Sequence, residues 1–208
     1  MYNYLKNNLI NFILSILALM LVIIIIADQI TIVDKYNLLG SVEKMIPRAQ
    51  GILVVDEDNQ EVFLDIKDSM IAKYIVQQGS WEPHLRNIIK QIALPGHKVI
   101  VLGGHVGVHA MLLSRLVGQT GHLDVFEPNP STLKFLKANI FFNPIKNITL
   151  YEQAAFSKNE ELKCIAVARD ANSGSSHLVR GKDNGVGDEI TVTAVRLDDV
   201  LEIPNGGF

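Results

Sequence analysis

A glycine-rich turn between an apolar run and an amphipathic stretch carries the strongest chemical signal in the sequence. Four apolar residues, Val99 to Leu102, precede Gly103-Gly-His-Val-Gly107, and the next stretch, His109 to Val117, has the composition of a helix. A strand, a glycine turn and a helix form the first half of a βαβ unit. Glycine at such a turn lets a ligand lie directly against the backbone. The pattern predicts a ligand-binding turn, and its candidate residues are Gly103, Gly104, His105 and Gly107.

An acidic residue follows at a distance that suits nucleoside binding. Glu127 stands 24 positions after Gly103, directly after a predicted strand, Leu123 to Phe126. An acid at this place in α/β folds reaches ribose hydroxyls. The dinucleotide fingerprint needs a glycine two residues after the first one, and His105 occupies that position. We therefore expect a nucleoside cofactor without a pyrophosphate.

Further short stretches lie around this turn. They are Gly79-Ser-Trp81-Glu82-Pro83, Phe126-Glu-Pro-Asn-Pro130, Asn143, Ala154-Ala155 and Leu197-Asp-Asp-Val-Leu201. Together with the glycine turn they resemble the FkbM-type family of class I S-adenosylmethionine-dependent methyltransferases, from about Asp68 to the C-terminus. Val101 stands where that family usually carries an acidic residue. The resemblance implies a Rossmann-like α/β fold and S-adenosyl-L-methionine as the cofactor.

The same resemblance assigns roles to residues outside the turn. It implies that Glu82 lies at the mouth of the cofactor pocket and that Gln153 lies at the adenine edge. Asn129 is expected to be a helix cap rather than a direct ligand, since it precedes a proline. The full set of candidate cofactor-binding residues is Glu82, Gly103, Gly104, His105, Gly107, Glu127, Pro128, Asn129 and Gln153.

No catalytic base stands out in the sequence. Methyl transfer depends mainly on aligning the acceptor with the methyl carbon, and a base then takes the acceptor's proton. The histidines available for that step are His84, His105, His109 and His177, and their spacing selects none of them. The sequence shows no metal-ligand spacing, so we predict no metal site.

Charge and cysteine content narrow the functional classes. The 208 residues carry a formal net charge of −3 with both signs present, which argues against binding nucleic acid by bulk attraction. Cys164 is the only cysteine, so an intramolecular disulfide and a multi-cysteine metal site are excluded. The expected partner is an acceptor that the resemblance implies to be a small molecule or a glycan.

The first 30 residues predict a membrane anchor. Residues Leu9 to Ala27 are almost wholly apolar, over a length close to that of a bilayer-spanning helix. A cleaved signal peptide is the alternative, but the apolar run is longer than usual and no small-x-small cleavage motif follows it. Basic residues weakly favour a cytoplasmic C-terminal side. We predict a single-pass membrane protein with residues 31–50 as a connector and a cytoplasmic domain beyond it.

Before the glycine turn, the pattern predicts a hairpin and two helices. Gly51–Val55 and Glu61–Ile66 flank a polar turn, and Asp68 is placed to cap a helix that Gly79 ends. Pro83 begins the second helix. The predicted core-facing stripe of that helix consists of Leu85, Ile88, Ile89 and Ile92.

After the turn, the pattern predicts a helix, a strand and a less regular region. Asn129-Pro130 begins the helix, and Ile148–Tyr151 is the next strand. Leu162–Ala168 and Ile190–Val195 are expected to be strands, joined by the glycine- and serine-rich stretch Asn172-Ser-Gly-Ser-Ser176. The predicted helix stripe consists of Leu133, Leu136 and Ile140.

Residues 51–208 are therefore predicted to form an incomplete methyltransferase-like domain with the N-terminal half of the class I sheet. Val99–Leu102 has the composition of a central strand buried on both faces, yet no later strand is available to pair with its second edge. We expect self-association through that edge and weak activity. The predicted function is membrane-anchored O-methyl transfer. A non-catalytic interaction module and an NAD-dependent oxidoreductase, which His105 disfavours, remain the alternatives.

Overall fold

The computed structural model describes residues 50–143, 145–167, 172–179 and 187–202, and they form a mixed α/β fold, as predicted. The helices are α1 (Ile71–Gln78), α2 (Pro83–Ile92), α3 (Val108–Val117), α4 (Pro130–Phe142) and α5 (Leu197–Val200). The strands are β1 (Gly51–Val55), β2 (Glu61–Asp65), β3 (Lys98–Leu102), β4 (His122–Phe126), β5 (Ile148–Tyr151), β6 (Ala154–Ala155), β7 (Glu160–Ala166), β8 (His177–Val179) and β9 (Asp188–Val195).

The hairpin and the first helix form where the sequence predicts them. β1 pairs with β2 in antiparallel register along its whole length. Asp68 Oδ1 accepts hydrogen bonds from the amides of Met70 and Ile71, at 3.0 and 2.6 Å, and so caps the start of α1. Gly79 ends this helix in the left-handed conformation, with φ +81°.

The apolar stripe predicted on α2 does not match its buried face. Ile89 is buried, whereas Leu85, Ile88 and Ile92 are between 41% and 64% exposed. The helix therefore leaves most of its aliphatic surface uncovered by the described residues.

A buried arginine accounts for the orientation of α2. Arg86 is fully buried, its Nη2 atom lies 3.0 Å from Asp56 Oδ2, and it forms a second ion pair with Asp58. Lys90, one turn further along, lies 2.6 Å from Asp58 Oδ1. Because a buried charge must be paired, these carboxylates of the hairpin turn set the packing of α2 more strongly than its aliphatic side chains do.

A parallel sheet of order β3-β4-β5 forms the centre of the described region. α3 and α4 supply much of its core, which includes Leu112, Val125, Leu133 and Leu136. β3 lies at the edge of this sheet, so the uncovered edge predicted for that strand is present among the described residues. The expectation that the strand is buried on both faces is wrong: its middle residues are only half-buried and Leu102 is 57% exposed.

A second sheet has the strand order β6-β9-β7-β8. β7 and β9 are the two strands expected here, and they pair with each other in antiparallel register. β6 and β8 were not predicted, because two- and three-residue strands leave no hydrophobic period in a sequence. β6 follows β5 in the chain and pairs with β9 in parallel register. The chain therefore passes from the end of β5 in the parallel sheet directly into the second sheet.

The predicted membrane segment Leu9–Ala27 and nearly all of the connector lie outside the described residues. Within the described ranges, no helix has the length and apolar composition needed to cross a membrane. The same ranges contain no group of three or more His, Cys, Asp or Glu residues that could hold a metal ion.

Candidate cofactor cleft

A cleft of about 780 Å³ opens at the carboxyl ends of β3 and β4. This edge of a parallel sheet is where ligands bind in open α/β folds. Eight of the nine candidate residues line it: Glu82, Gly103, Gly104, His105, Glu127, Pro128, Asn129 and Gln153. Gly107 is not among the lining residues. The structure therefore brings together nearly all of a set that spans more than 70 positions in the sequence.

The glycine turn is held against β4 by its main chain. The amides of Gly103 and Gly104 both donate to the carbonyl oxygen of Phe126, at 2.9 Å. Gly103 has a φ of +82°, which glycine adopts without strain. A Cβ atom on Gly104 would lie 2.5 Å from Val125 Cγ1, so any larger residue would force that side chain to move.

Gly107 has a packing role. A Cβ at this position would lie 2.6 Å from Leu136 Cδ1, and its φ is +95°. The glycine therefore allows the start of α3 to pack closely against α4. This contact explains why Gly107 belongs to the motif but not to the lining of the cleft.

Glu127 connects the carboxyl ends of β3 and β4. Its side chain is buried, and Oε2 accepts a hydrogen bond from the amide of His105 at 2.7 Å. Oε1 accepts from the amide of Asn129 at 2.9 Å and from Thr132 Oγ1 at 3.0 Å. Each carboxylate oxygen has two lone pairs, and Oε2 has one donor among these contacts, so one acceptor position remains on Oε2. Glu127 can therefore accept one further hydrogen bond from a ligand hydroxyl.

His105 occupies a strained position in the turn. Its φ is +50°, in the left-handed region that residues with a side chain seldom adopt. Its ring Nε2 lies 2.9 Å from Ser173 Oγ, and the Ser173 hydroxyl in turn donates to Asp68 Oδ2. Burial lowers the pKa of His105 below its ordinary value of 6.5, and the charges of Glu127 and Asp68 oppose that shift in part. The ring is therefore neutral at neutral pH.

Asn129 is a helix cap, as expected. Its Oδ1 accepts from the amide of Ser131 at 3.0 Å, at the start of α4. Its Nδ2 atom reaches Ser176 Oγ at 3.4 Å, which places the cap at the border of the cleft as well.

Residues 172–178, which we term the serine segment, line the cleft beside the glycine turn with every residue except Ser175. Ser173 is buried, and Ser176 Oγ accepts a hydrogen bond from the amide of Val167 at 3.0 Å. Cys164 of β7 is also buried and lines the cleft. Sequence reasoning did not assign Ser173, Ser176 or Cys164 to the cleft; the two serines lie in a stretch that has the composition of an ordinary connection.

Glu82, which also lines the cleft, is a second strained residue. Its φ is +48°, and its Oε2 atom lies 3.0 Å from His109 Nε2. Trp81 packs edge-on against Tyr74, with ring centroids 5.7 Å apart. Of the four candidate bases, His105, His109 and His177 line the cleft and His84 does not.

The part of the cleft next to the edge of β3 is apolar. Its lining residues there are Leu85, Ile100, Val101, Leu102 and Leu113. The cleft therefore has a polar part, around the glycine turn, Glu127 and the serine segment, and an apolar part along the uncovered strand. Such a combination suits a ligand with a polar nucleoside and a less polar remainder.

Comparison with known proteins gives one curated relative and several structural matches. The chain is 34% identical over 70 residues to a protein-L-isoaspartate O-methyltransferase of Methanosarcina mazei, which covers 33% of this chain and 29% of that protein. The chain thus spans less than a third of the relative it matches. No protein-family model matches the sequence.

Two solved structures illustrate the structural matches. Pyrococcus horikoshii TYW2, in complex with MeSAdo, aligns with a TM-score of 0.41 and 19% identity over 53% of this chain and 39% of that one. A SAM-dependent O-methyltransferase from Thermotoga maritima aligns with a TM-score of 0.35 and 11% identity over 74% of this chain and 96% of that one.

Proposed function

We propose that this chain binds S-adenosyl-L-methionine in the cleft and acts as a class I methyltransferase. The observation that carries the proposal is the convergence of the glycine turn and Glu127, with one acceptor position left on Oε2, at the carboxyl ends of β3 and β4. An acid so placed is the residue that binds ribose hydroxyls in nucleoside-binding folds. The methyltransferase name of the curated relative supports the same function.

The protein's contribution to methyl transfer would be binding and alignment. When bound, S-adenosylmethionine would supply the methyl group; the acceptor hydroxyl would give up its proton to a base, and S-adenosylhomocysteine would be the other product. The glycine turn would leave the backbone accessible to the cofactor, and Glu127 would accept a hydrogen bond from a ribose hydroxyl.

The finer proposal is O-methyl transfer to a hydroxyl of a small molecule or a glycan, by an FkbM-type enzyme. The motifs from Gly79 to Leu201 support the family, and the apolar part of the cleft supports an acceptor that is not highly charged. We further propose that the apolar run Leu9–Ala27 anchors the protein in a membrane, with the catalytic domain on the cytoplasmic side.

Titration calorimetry with the full chain in mild detergent tests the cofactor. S-adenosylhomocysteine should bind, and NAD should bind much more weakly. Glu127→Ala should weaken the binding by roughly 1–3 kcal/mol, because a buried hydroxyl loses its charged acceptor. The matched control is Glu152→Ala, which removes an exposed acid paired with Lys137 and should leave the affinity unchanged.

Equal or tighter binding of NAD would overturn the cofactor proposal in favour of an oxidoreductase. Binding of S-adenosylhomocysteine without methyl transfer to any hydroxyl acceptor would favour the non-catalytic alternative. The membrane proposal is tested separately by alkaline washing of membranes from expressing cells. The chain should remain with the membranes and leave them only with detergent, whereas release by salt would contradict an anchor.

A further inference from the structure

Three distant segments meet at the hydroxyl of Ser173. The ring of His105 lies 2.9 Å from Ser173 Oγ, and Ser173 donates to Asp68 Oδ2. Asp68 Oδ1 accepts amides of the first turn of α1, so this carboxylate is fixed from both sides. The serine segment is thereby joined to the glycine turn and to the start of α1 by one chain of hydrogen bonds.

The direction of these bonds fixes the tautomer of His105. A hydroxyl has one proton, and that of Ser173 goes to Asp68. Ser173 must therefore accept a proton from the ring, which places the hydrogen of His105 on Nε2. The lowered pKa of the ring agrees with a neutral Nε2–H form.

His105 also orients the carboxylate oxygen of Glu127 that has a free acceptor position. The amide of His105 donates to Glu127 Oε2 at 2.7 Å, and Oε2 is the oxygen that keeps a lone pair for a ligand. His105 has a positive φ, which persists only where surrounding contacts hold it. The ring contact with Ser173 and the amide contact with Glu127 are two such contacts, one on each side of the strained backbone.

We propose that Ser173 is a positioning residue for the ribose end of the cofactor. Through the ring of His105 it fixes the amide that orients Glu127 Oε2, so docking of the serine segment completes the ribose subsite. Cofactor binding and docking of the serine segment are consequently coupled. This inference rests on the proposed function, since the ribose in question is that of S-adenosylmethionine.

The test compares two variants of the same shape, Ser173→Thr and Ser173→Val, in the full chain. Threonine keeps the hydroxyl and valine does not, so steric effects of the added methyl groups cancel between them. The first measurement is the affinity for S-adenosylhomocysteine by calorimetry. The valine variant should bind roughly five- to tenfold more weakly than the threonine variant, as expected for one lost neutral hydrogen bond.

The second measurement is the tautomer of His105, read from ¹⁵N-labelled histidine by nuclear magnetic resonance without ligand. The wild-type and threonine chains should show the Nε2–H form, and the valine chain a mixture of tautomers. A purely structural role of Ser173 would change the melting temperature without this signature. Ser175→Ala, an exposed serine of the same segment, is the control and should change neither reading.

The outcomes separate the two proposals. If the wild-type chain binds S-adenosylhomocysteine and the two variants bind equally, the positioning role is wrong and the proposed function stands. If the wild-type chain does not bind it, the proposed function fails and this inference fails with it. An Nδ1–H tautomer in the wild-type chain would overturn the inference whatever the affinities are.

Discussion

The two sides of the cleft are held by different kinds of contact. On the glycine-turn side, main-chain amides of Gly103 and Gly104 bond to Phe126, and Gly104 and Gly107 pack directly against neighbouring side chains. On the other side, the serine segment is attached to the glycine-turn side through two side-chain hydroxyls, those of Ser173 and Ser176.

This difference implies different stabilities. Close packing and main-chain bonds in the turn resist opening, whereas each hydroxyl bond contributes only about 1 kcal/mol net. We therefore expect the serine segment to separate from the cleft under conditions that leave the glycine turn folded. Local opening of this kind is usual for segments that cover binding sites.

The largest decrease in the free energy of unfolding should come from replacing Asn139, which bonds to the glycine turn through Val106. Asn139 is fully buried, and its side chain bonds to both the amide and the carbonyl of Phe63 and to the carbonyl of Val106. Asn139→Ala leaves three buried main-chain groups unpaired and creates a cavity. It should lower the free energy of unfolding by about 3–5 kcal/mol, measured by urea denaturation.

The control for this prediction is Asn159→Ala. Asn159 also makes two hydrogen bonds, to Arg196 and Asp199, but it is exposed, so water replaces its partners. Its replacement should cost less than about 1 kcal/mol. A similar loss in the two variants would show that burial of Asn139 does not stabilise the turn.

A smaller effect is expected from adding one methyl group to the turn itself. Gly104→Ala forces the side chains of Val125 and Leu136 to move and should cost about 3 kcal/mol. Gly103→Ala meets no atom within 4 Å and should cost only about 1 kcal/mol, from its positive φ. Thermal melting of both variants measures the difference, and the reverse order would mean that backbone strain outweighs packing here.

The glycine-turn side could be predicted from the sequence because its signals are local. The strand, the glycines, Glu127 and the Asn129 cap lie within about thirty residues, at spacings that one βαβ unit requires. The acid and the turn therefore meet through the parallel pairing of β3 and β4, which a βαβ unit of this length predicts.

The serine-segment side could not be predicted, because its contacts join residues far apart in the chain. Ser173 is 68 positions from His105 and 105 positions from Asp68. Side-chain bonds of this kind leave no periodicity in either partner segment. The same reason explains the misjudged face of α2, where a buried Arg86 is paired with a hairpin turn some 30 positions earlier.

The contact between His105 and Ser173 should make the stability of the chain depend on pH in the acidic range. The pKa of His105 is lowered in the folded chain, so the unfolded chain takes up a proton first as the pH falls below 6.5. The free energy of unfolding should therefore decrease as the pH falls from 6.5 to the pKa of His105 in the folded chain. Below that pKa, His105 should cause no further decrease. His105→Gln should remove this part of the dependence, measured by urea denaturation at about pH 7.5 and about pH 5.5. An unchanged slope would show that the ring is not buried as a neutral group.

The smallest expected effect concerns the thiol on the serine-segment side. Cys164 is the only cysteine, so alkylation by iodoacetamide reports on one position. Burial raises the pKa of its thiol above the ordinary 9.0, and the charge of Glu127 adds to the shift, so the thiolate is scarce at pH 8 and the folded chain should react slowly. Urea below the unfolding transition should speed the reaction, because the serine segment separates first, and S-adenosylhomocysteine should slow it again. Mass spectrometry measures the rate. If alkylation accelerates only together with global unfolding, the two sides of the cleft open as one unit. The inference that they differ in stability would then be wrong.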